Sequence, residues 1–169
     1  MEILFSEAEI RDRIQCLGEE ISRYYQDQPL TILALLNGAL IFAADLARAI
    51  TCEDCYLDCM AVCSYSGHRS SEELQVRCEP KLPIAGRHVL LVDGVLDTGF
   101  TLSKVAEQIS AQGSLSVRSC VLAEKIRVRE QPVHHADWCA FQVPDRYLVG
   151  CGMDSNERYR QLPYLAALD

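Results

Sequence analysis

The stretch His88-Val-Leu-Leu-Val-Asp-Gly-Val-Leu-Asp-Thr-Gly-Phe-Thr-Leu102, HVLLVDGVLDTGFTL, runs an apolar strand directly into acids, glycines and threonines. Residues 89–93 read as a buried strand and residues 101–112, closed by Gly113, as the helix that follows. A strand feeding a helix in this way offers free backbone N–H groups and the positive end of the helix dipole to a phosphate. Within Asp97-Thr-Gly-Phe-Thr101, Gly99 lets the backbone approach an anion, and the hydroxyls of Thr98 and Thr101 add donors. Helix capping would account for Asp97 or Thr98 alone, but not for acids beside an anion cradle. Asp93 and Asp97 make sense if the ligand also carries hydroxyls that need acceptors, or a Mg²⁺ held between phosphates and carboxylates.

Outward from this unit the same alternation recurs. Ser6-Glu-Ala-Glu9 reads as a capping box, with Ile10, Ile14, Leu17, Ile21 and Tyr24 at helical spacing behind it. Residues 30–36 are apolar throughout, as in a strand covered on both faces, and Asn37-Gly38 breaks them before a helix over 39–50. A strand over 56–65 leads into a polar loop over 66–73, and a short strand at 74–76 into a connection punctuated by Pro80, Pro83 and Gly86. Residues 116–123, 138–143 and 147–149 are further strands. Strands alternating with helices predict an α/β fold, with right-handed βαβ units building a parallel twisted sheet flanked by helices. All 169 residues are expected to form one domain.

Composition narrows the function classes. Charged residues at 24% and hydrophobic ones at 49% describe an ordinary globular chain, and a net charge of −8 argues against general nucleic-acid binding. No basic segment followed by an apolar one opens the chain, and no apolar run is long enough for a bilayer, so a cytoplasmic, soluble protein is expected. Nine cysteines then read as reduced core thiols. Cys52, Cys55, Cys59 and Cys63 suggest a metal site, but a strand from Cys55 to Cys63 would hold its ends about 26 Å apart. Cys52-Glu-Asp-Cys55 lacks a following helix N-terminus to stabilise a thiolate. In His134-His135-Ala-Asp137 the adjacent side chains of an extended chain point apart, which disfavours metal ligation.

VLLVDGVLDTGFTL resembles the phosphoribosyl-pyrophosphate (PRPP) motif of the type I phosphoribosyltransferases. Four further segments resemble the hypoxanthine-guanine branch in the family's order: LLNGALIFAADLARAI its pyrophosphate loop and helix, DCMAVCSYSG its strand into a mobile catalytic loop, LAEK its base-recognition lysine, and PDRYLVGCGMDSNERYRQLPYLAAL its C-terminal hood. The resemblance implies a type I phosphoribosyltransferase fold with a small hood, contributed mainly by the segment from about residue 125 onward. It implies a purine salvage enzyme that uses Mg²⁺ and PRPP to convert hypoxanthine or guanine to the nucleoside monophosphate, in a cytoplasmic homodimer or homotetramer. Asp97 would be the catalytic acid/base at purine N7, and Asp93, Thr98, Gly99 and Thr101 would hold the ribose and 5′-phosphate. Asn37, Gly38 and Arg160 would bind pyrophosphate; Lys125, Tyr147, Leu148 and Asp154 the purine. Ser64 and Tyr65 would lead the mobile loop, and the metal would be held by Asp154, with Asp93 as a second candidate.

Two departures stand out. Asn37 occupies a position where many members have Lys or Arg, and the family's adjacent acid pair is reduced to Asp93-Gly94. A lost charge-assisted hydrogen bond to a sugar hydroxyl costs about 1.5 to 3 kcal/mol, or one to two decades of PRPP affinity. Gly94→Asp tests that contact: an apparent KM for PRPP lowered about tenfold would support it, and no change would mean that Asp93 or another group already supplies it. Gly94 also supports the alternative of a nucleotide-sensing or RNA-binding regulator on the same fold, which Asp97, Lys125 and the acidic net charge oppose.

Overall fold

The computed structural model describes residues 1–64, 74–126 and 135–168. Ser6 opens the first helix, α1 (Glu7–Tyr25), through a reciprocal capping box: its hydroxyl accepts from the Glu9 N–H, and the Glu9 carboxylate accepts from the Ser6 N–H at 2.8 Å. The buried face of α1 carries Ile10, Ile14, Leu17 and Ile21, but continues to Tyr25 rather than the expected Tyr24. Residue 25 lies one full i+4 step beyond Ile21, whereas Tyr24 is 49% exposed and lies edge-on to Tyr25 and Trp138.

The apolar stretch β2 (Leu30–Leu36) is central to a six-stranded sheet of order β4-β3-β2-β5-β6-β7, with β3 (Cys55–Ser64), β4 (Leu74–Cys78), β5 (His88–Leu96), β6 (Ser116–Ile126) and β7 (Trp138–Pro144). Every pairing in it is parallel except β3 with the edge strand β4. Helix α2 (Leu40–Ala49) packs with α1 on one face, over Ile32, Ala34, Leu90, Val92 and Leu122. Helix α3 (Phe100–Ser110) covers the other face, over Leu33, Leu35, Val89, Leu91 and Val121. The pleat explains why these strands read as uninterrupted apolar runs: successive residues bury on opposite faces, and both faces are covered.

A second, three-stranded sheet of order β1-β9-β8 is antiparallel throughout and is built from β1 (Glu2–Phe5), β8 (Tyr147–Val149) and β9 (Leu165–Leu168). The small sheet therefore draws on the first residues of the chain as well as the last, while β7, beyond residue 125, belongs to the large sheet. Neither β1 nor β9 is signalled by alternation, because each is a four-residue strand. Three expected strands also run longer: β4 to Cys78, β6 to Ile126, and β5, which does not end at Asp93 but continues through Gly94 to Leu96, paired with β6 at Val95 and Leu96. The expected polar loop over 66–73, with Tyr65 and His134, lies outside the described residues.

Burial raises the thiols of Cys55, Cys139 and Cys151 to about 11, and that of Cys52 upward in the same direction. These groups behave as small core hydrophobes rather than thiolates. Among the described residues no three His, Cys, Asp or Glu side chains are grouped to hold a metal ion. His135 turns to Glu124 at 2.8 Å, whereas Asp137 accepts from the Ser119 N–H at 2.8 Å and pairs with Arg118.

Candidate active site

Parallel pairing brings the carboxyl ends of five strands, β3, β2, β5, β6 and β7, to one edge of the sheet. Leu96 is level with Glu124, and Lys125 with Val143, so Asp97, Lys125 and Asp145 follow one another across β5, β6 and β7. The Lys125 ammonium lies 3.3 Å from Asp97 Oδ2 and 3.2 Å from Asp145 Oδ1, with the lysine side chain only 14% exposed. Two residues singled out separately in the sequence, Asp97 and Lys125, are thus joined in one ion-paired group. Asp145 was not foreseen: an acid after Pro144 looks like turn punctuation, and no local spacing ties position 145 to 97 or 125.

The turn that follows β5 has the backbone an anion cradle requires. Gly99 is the N-cap of α3 with φ 78° and ψ −1°, a left-handed conformation that favours glycine. It provides no side-chain cap; Thr98 Oγ1 instead accepts from the Phe100 N–H at 3.3 Å. Thr98 is exposed and Thr101 half-buried beside this helix N-terminus, so both threonines flank the same turn.

Asp93 faces a different environment. Its Oδ1 accepts from the Gly94 N–H at 2.7 Å, and burial of the carboxyl raises its pKa to about 6 against the lowering effect of that hydrogen bond. After β2, the chain turns at Asn37-Gly38 through a cis Leu36–Asn37 peptide. The Ala39 N–H donates to Leu35 O and the Leu40 N–H to Asn37 O, each at 3.1 Å, which closes this turn onto α2.

The segment between β8 and β9 contributes a second charged group. Arg160 donates from Nη1 to Gly152 O at 2.8 Å and pairs through Nη2 with Asp154 at 2.8 Å and Glu157 at 2.9 Å, while the Glu157 N–H returns to Asp154 Oδ2 at 2.9 Å. Asp154 and Arg160 therefore stand together. Tyr147 begins β8 with 57% of its surface exposed, and Leu148 beside it is buried and level with Ala167 of β9. Ser64 ends β3.

Gly94 requires a correction. An added Cβ there would stand 2.9 Å from Gly38 O, 3.2 Å from Gly38 C and 3.2 Å from Met153 Cγ. The position is an inward-facing point of β5 filled by the backbone of the neighbouring turn, not an open place from which an acid has merely been lost. An aspartate would displace that turn or Met153, so Gly94→Asp does more than restore a missing acid.

The strand–turn–helix unit and the acid–lysine pair beside it are the features the sequence resemblance rests on, and comparison with known proteins decides the family. The phosphoribosyl transferase domain matches residues 2–156. The chain belongs to this family. A hypoxanthine-guanine phosphoribosyltransferase of Bacillus subtilis is 37% identical over 169 residues, covering 98% of this chain and 92% of the relative. A hypoxanthine-guanine-xanthine phosphoribosyltransferase of Tritrichomonas foetus is 32% identical over 168 residues, covering 98% and 90%. The crystal structure of a hypoxanthine phosphoribosyltransferase from Staphylococcus aureus superposes with a TM-score of 0.92 at 31% identity, covering 99% of this chain and 91% of that one. The phosphoribosyltransferase fold expected from the sequence is thus present along almost the whole chain. No helix among its described residues is long and apolar enough to cross a membrane.

Proposed function

We propose that this phosphoribosyltransferase transfers the phosphoribosyl group of PRPP to hypoxanthine or guanine, giving inosine or guanosine monophosphate and pyrophosphate. The observation that carries the reading is the Asp97–Lys125 pair at 3.3 Å, beside the glycine-capped helix N-terminus. A 6-oxopurine needs an acceptor for a ring proton and a donor for its exocyclic oxygen. Two of the three ammonium protons of Lys125 are directed to Asp97 and Asp145, and the third is available to the 6-oxo group. As N9 forms its bond to the ribose C1′ and the bond from C1′ to pyrophosphate breaks, Asp97 takes the N7 proton. The Thr98 and Thr101 hydroxyls and the N–H groups around Gly99 hold the 5′-phosphate, and Asp93 accepts from the ribose hydroxyls. Tyr147 stacks on the base, the carbonyls of Leu148 and Asp154 receive the amino group of guanine, and Asn37, Gly38 and Arg160 bind pyrophosphate. The loop that begins after Ser64 and Tyr65 excludes water from the reacting ribose.

Carboxylate oxygens are the donors Mg²⁺ takes, commonly one or two beside retained waters and substrate phosphates, and Asp154 and Asp93 supply such oxygens. Asp154, with Asp93 second, would hold it, and the ion would offset the charge of the departing pyrophosphate. Gly94 loses its force as support for a non-enzymatic regulator, since its packing against Gly38 gives a separate reason for glycine. The test is a spectrophotometric assay with PRPP, Mg²⁺ and each of hypoxanthine, guanine and xanthine. Turnover with a 6-oxopurine is expected, and Asp97→Asn should reduce kcat by about 10²- to 10⁴-fold while nucleotide still binds. Undiminished turnover in that variant would remove Asp97 from the chemistry. Size-exclusion chromatography with light scattering tests the proposed homodimer or homotetramer.

A further inference from the structure

We infer that Gly94 is a positioning residue, one half of a two-glycine seat that holds the Gly38 carbonyl and couples the turn after β2 to the hood. The inference rests on the proposed reading of that turn as the pyrophosphate subsite. Gly94 does not occupy the left-handed region, so its backbone conformation does not call for glycine; the space around it does. A Cβ on Gly94 would meet Gly38 O at 2.9 Å, and a Cβ on Gly152 would meet the same oxygen at 2.4 Å. In both cases the obstruction is backbone, which cannot swing aside as a flexible side chain could.

The seat is tied onward by hydrogen bonds. Gly152 donates its N–H to Arg160 O at 2.9 Å and accepts from Arg160 Nη1 at 2.8 Å, and Arg160 pairs with Asp154 at 2.8 Å. One run of contacts therefore leads from Gly38 through Gly152 to Arg160 and Asp154, the groups assigned to pyrophosphate and its metal. Lys125, Tyr147 and Leu148, assigned to the base, stand outside it; Asp154 is assigned to guanine only through its carbonyl and the exocyclic amino group, so hypoxanthine, which lacks that group, is the purine for the test. Removing the side chain at position 94 gives up a carboxylate and in return lets a rigid backbone turn rest directly on β5.

The consequence is a divided kinetic effect. In the full chain Gly94→Ala, which adds only a methyl, should raise the KM for PRPP about tenfold and leave the KM for the purine within about twofold. Gly94→Asp should do no better than Gly94→Ala. A methyl that merely destabilised the fold would lower the active fraction and the melting temperature with both KM values unchanged; that outcome, or a KM for PRPP lowered by aspartate, overturns the inference. A second measurement needs neither variant nor turnover: amide hydrogen exchange of the native chain with and without pyrophosphate. Pyrophosphate should slow Ala39 and Leu40, whose N–H groups close the turn, and Gly152 along with them. Slowing confined to Ala39 and Leu40, or at none of the three, overturns the coupling. Absence of turnover with any purine would instead defeat the proposed reaction, while the exchange result would still decide the seat.

Discussion

Asp93 ties the stability of the fold to pH. Its pKa in the folded chain, about 6, lies above the ordinary 3.8, so the fold favours the protonated carboxyl. That contribution is fully present below about pH 4 and is lost as pH rises through about 6. Asp93→Asn keeps an acceptor for the Gly94 N–H and removes the buried charge. In buffer containing EDTA the variant should be more stable than the parent chain at pH 8, by up to about 3 kcal/mol, with the gap closing at pH 4. Chemical denaturation at the two pH values checks it, and an equal gap at both would contradict the assigned burial. At this scale the sequence revealed residue types: Asp93, Asp97, Thr98, Gly99 and Lys125 could all be read from chemistry or resemblance. Asp145 and the surroundings of Gly94 could not, because what matters there is the distance to Lys125 and to Gly38 O, across strands and turns far apart in the chain.

Among the elements, periodicity located every helix and the long strands, because each buries a regular stripe or lies covered on both faces. It erred where the signal is one residue wide, as at Tyr24 and Tyr25, or where the element is short, as in β1 and β9. The contact between α1 and α2 was equally hidden. Gly18 on α1 faces Ala49 so closely that an added Cβ would lie 2.5 Å from the Ala49 Cβ and 2.6 Å from its carbonyl oxygen. Alanine ordinarily favours a helix by about 1 kcal/mol over glycine, but overpacking costs about 1–3 kcal/mol. Gly18→Ala should therefore lower stability by up to about 2 kcal/mol and the melting temperature by up to about 8 °C. Gly38→Ala, whose Cβ would have nothing within 4 Å, is the control and should melt close to the parent chain. A stabilised Gly18→Ala chain would mean that the two helices separate without cost.

The whole molecule is held together by contacts between its ends. Phe5 of β1 stacks on Phe141 of β7 with ring centroids 3.9 Å apart, joining the small sheet to the large one, and Glu2 pairs with Arg146 in the turn between β7 and β8. Hood residues Leu148, Cys151, Met153, Leu165 and Ala167 extend the same core that α1 and α2 form over the sheet. Phe5→Ala should remove about 2–3 kcal/mol, allowing for partial burial of the ring, and accelerate amide exchange in β9 as well as β1. Thermal melting with residue-resolved exchange checks this; faster exchange in β1 alone would show that the hood does not depend on its N-terminal strand. The sequence by itself determined the α/β alternation, the central parallel strands and the glycine-bearing turn that opens α3, since hydrophobic period, capping and turn chemistry act over a few residues. Only the tertiary structure decided that β1 completes the hood, that Lys125 sits between Asp97 and Asp145, and that glycine at position 94 makes room for the Gly38 carbonyl. Those outcomes depend on strand order and on sub-ångström clearances between distant backbones, which no local pattern encodes.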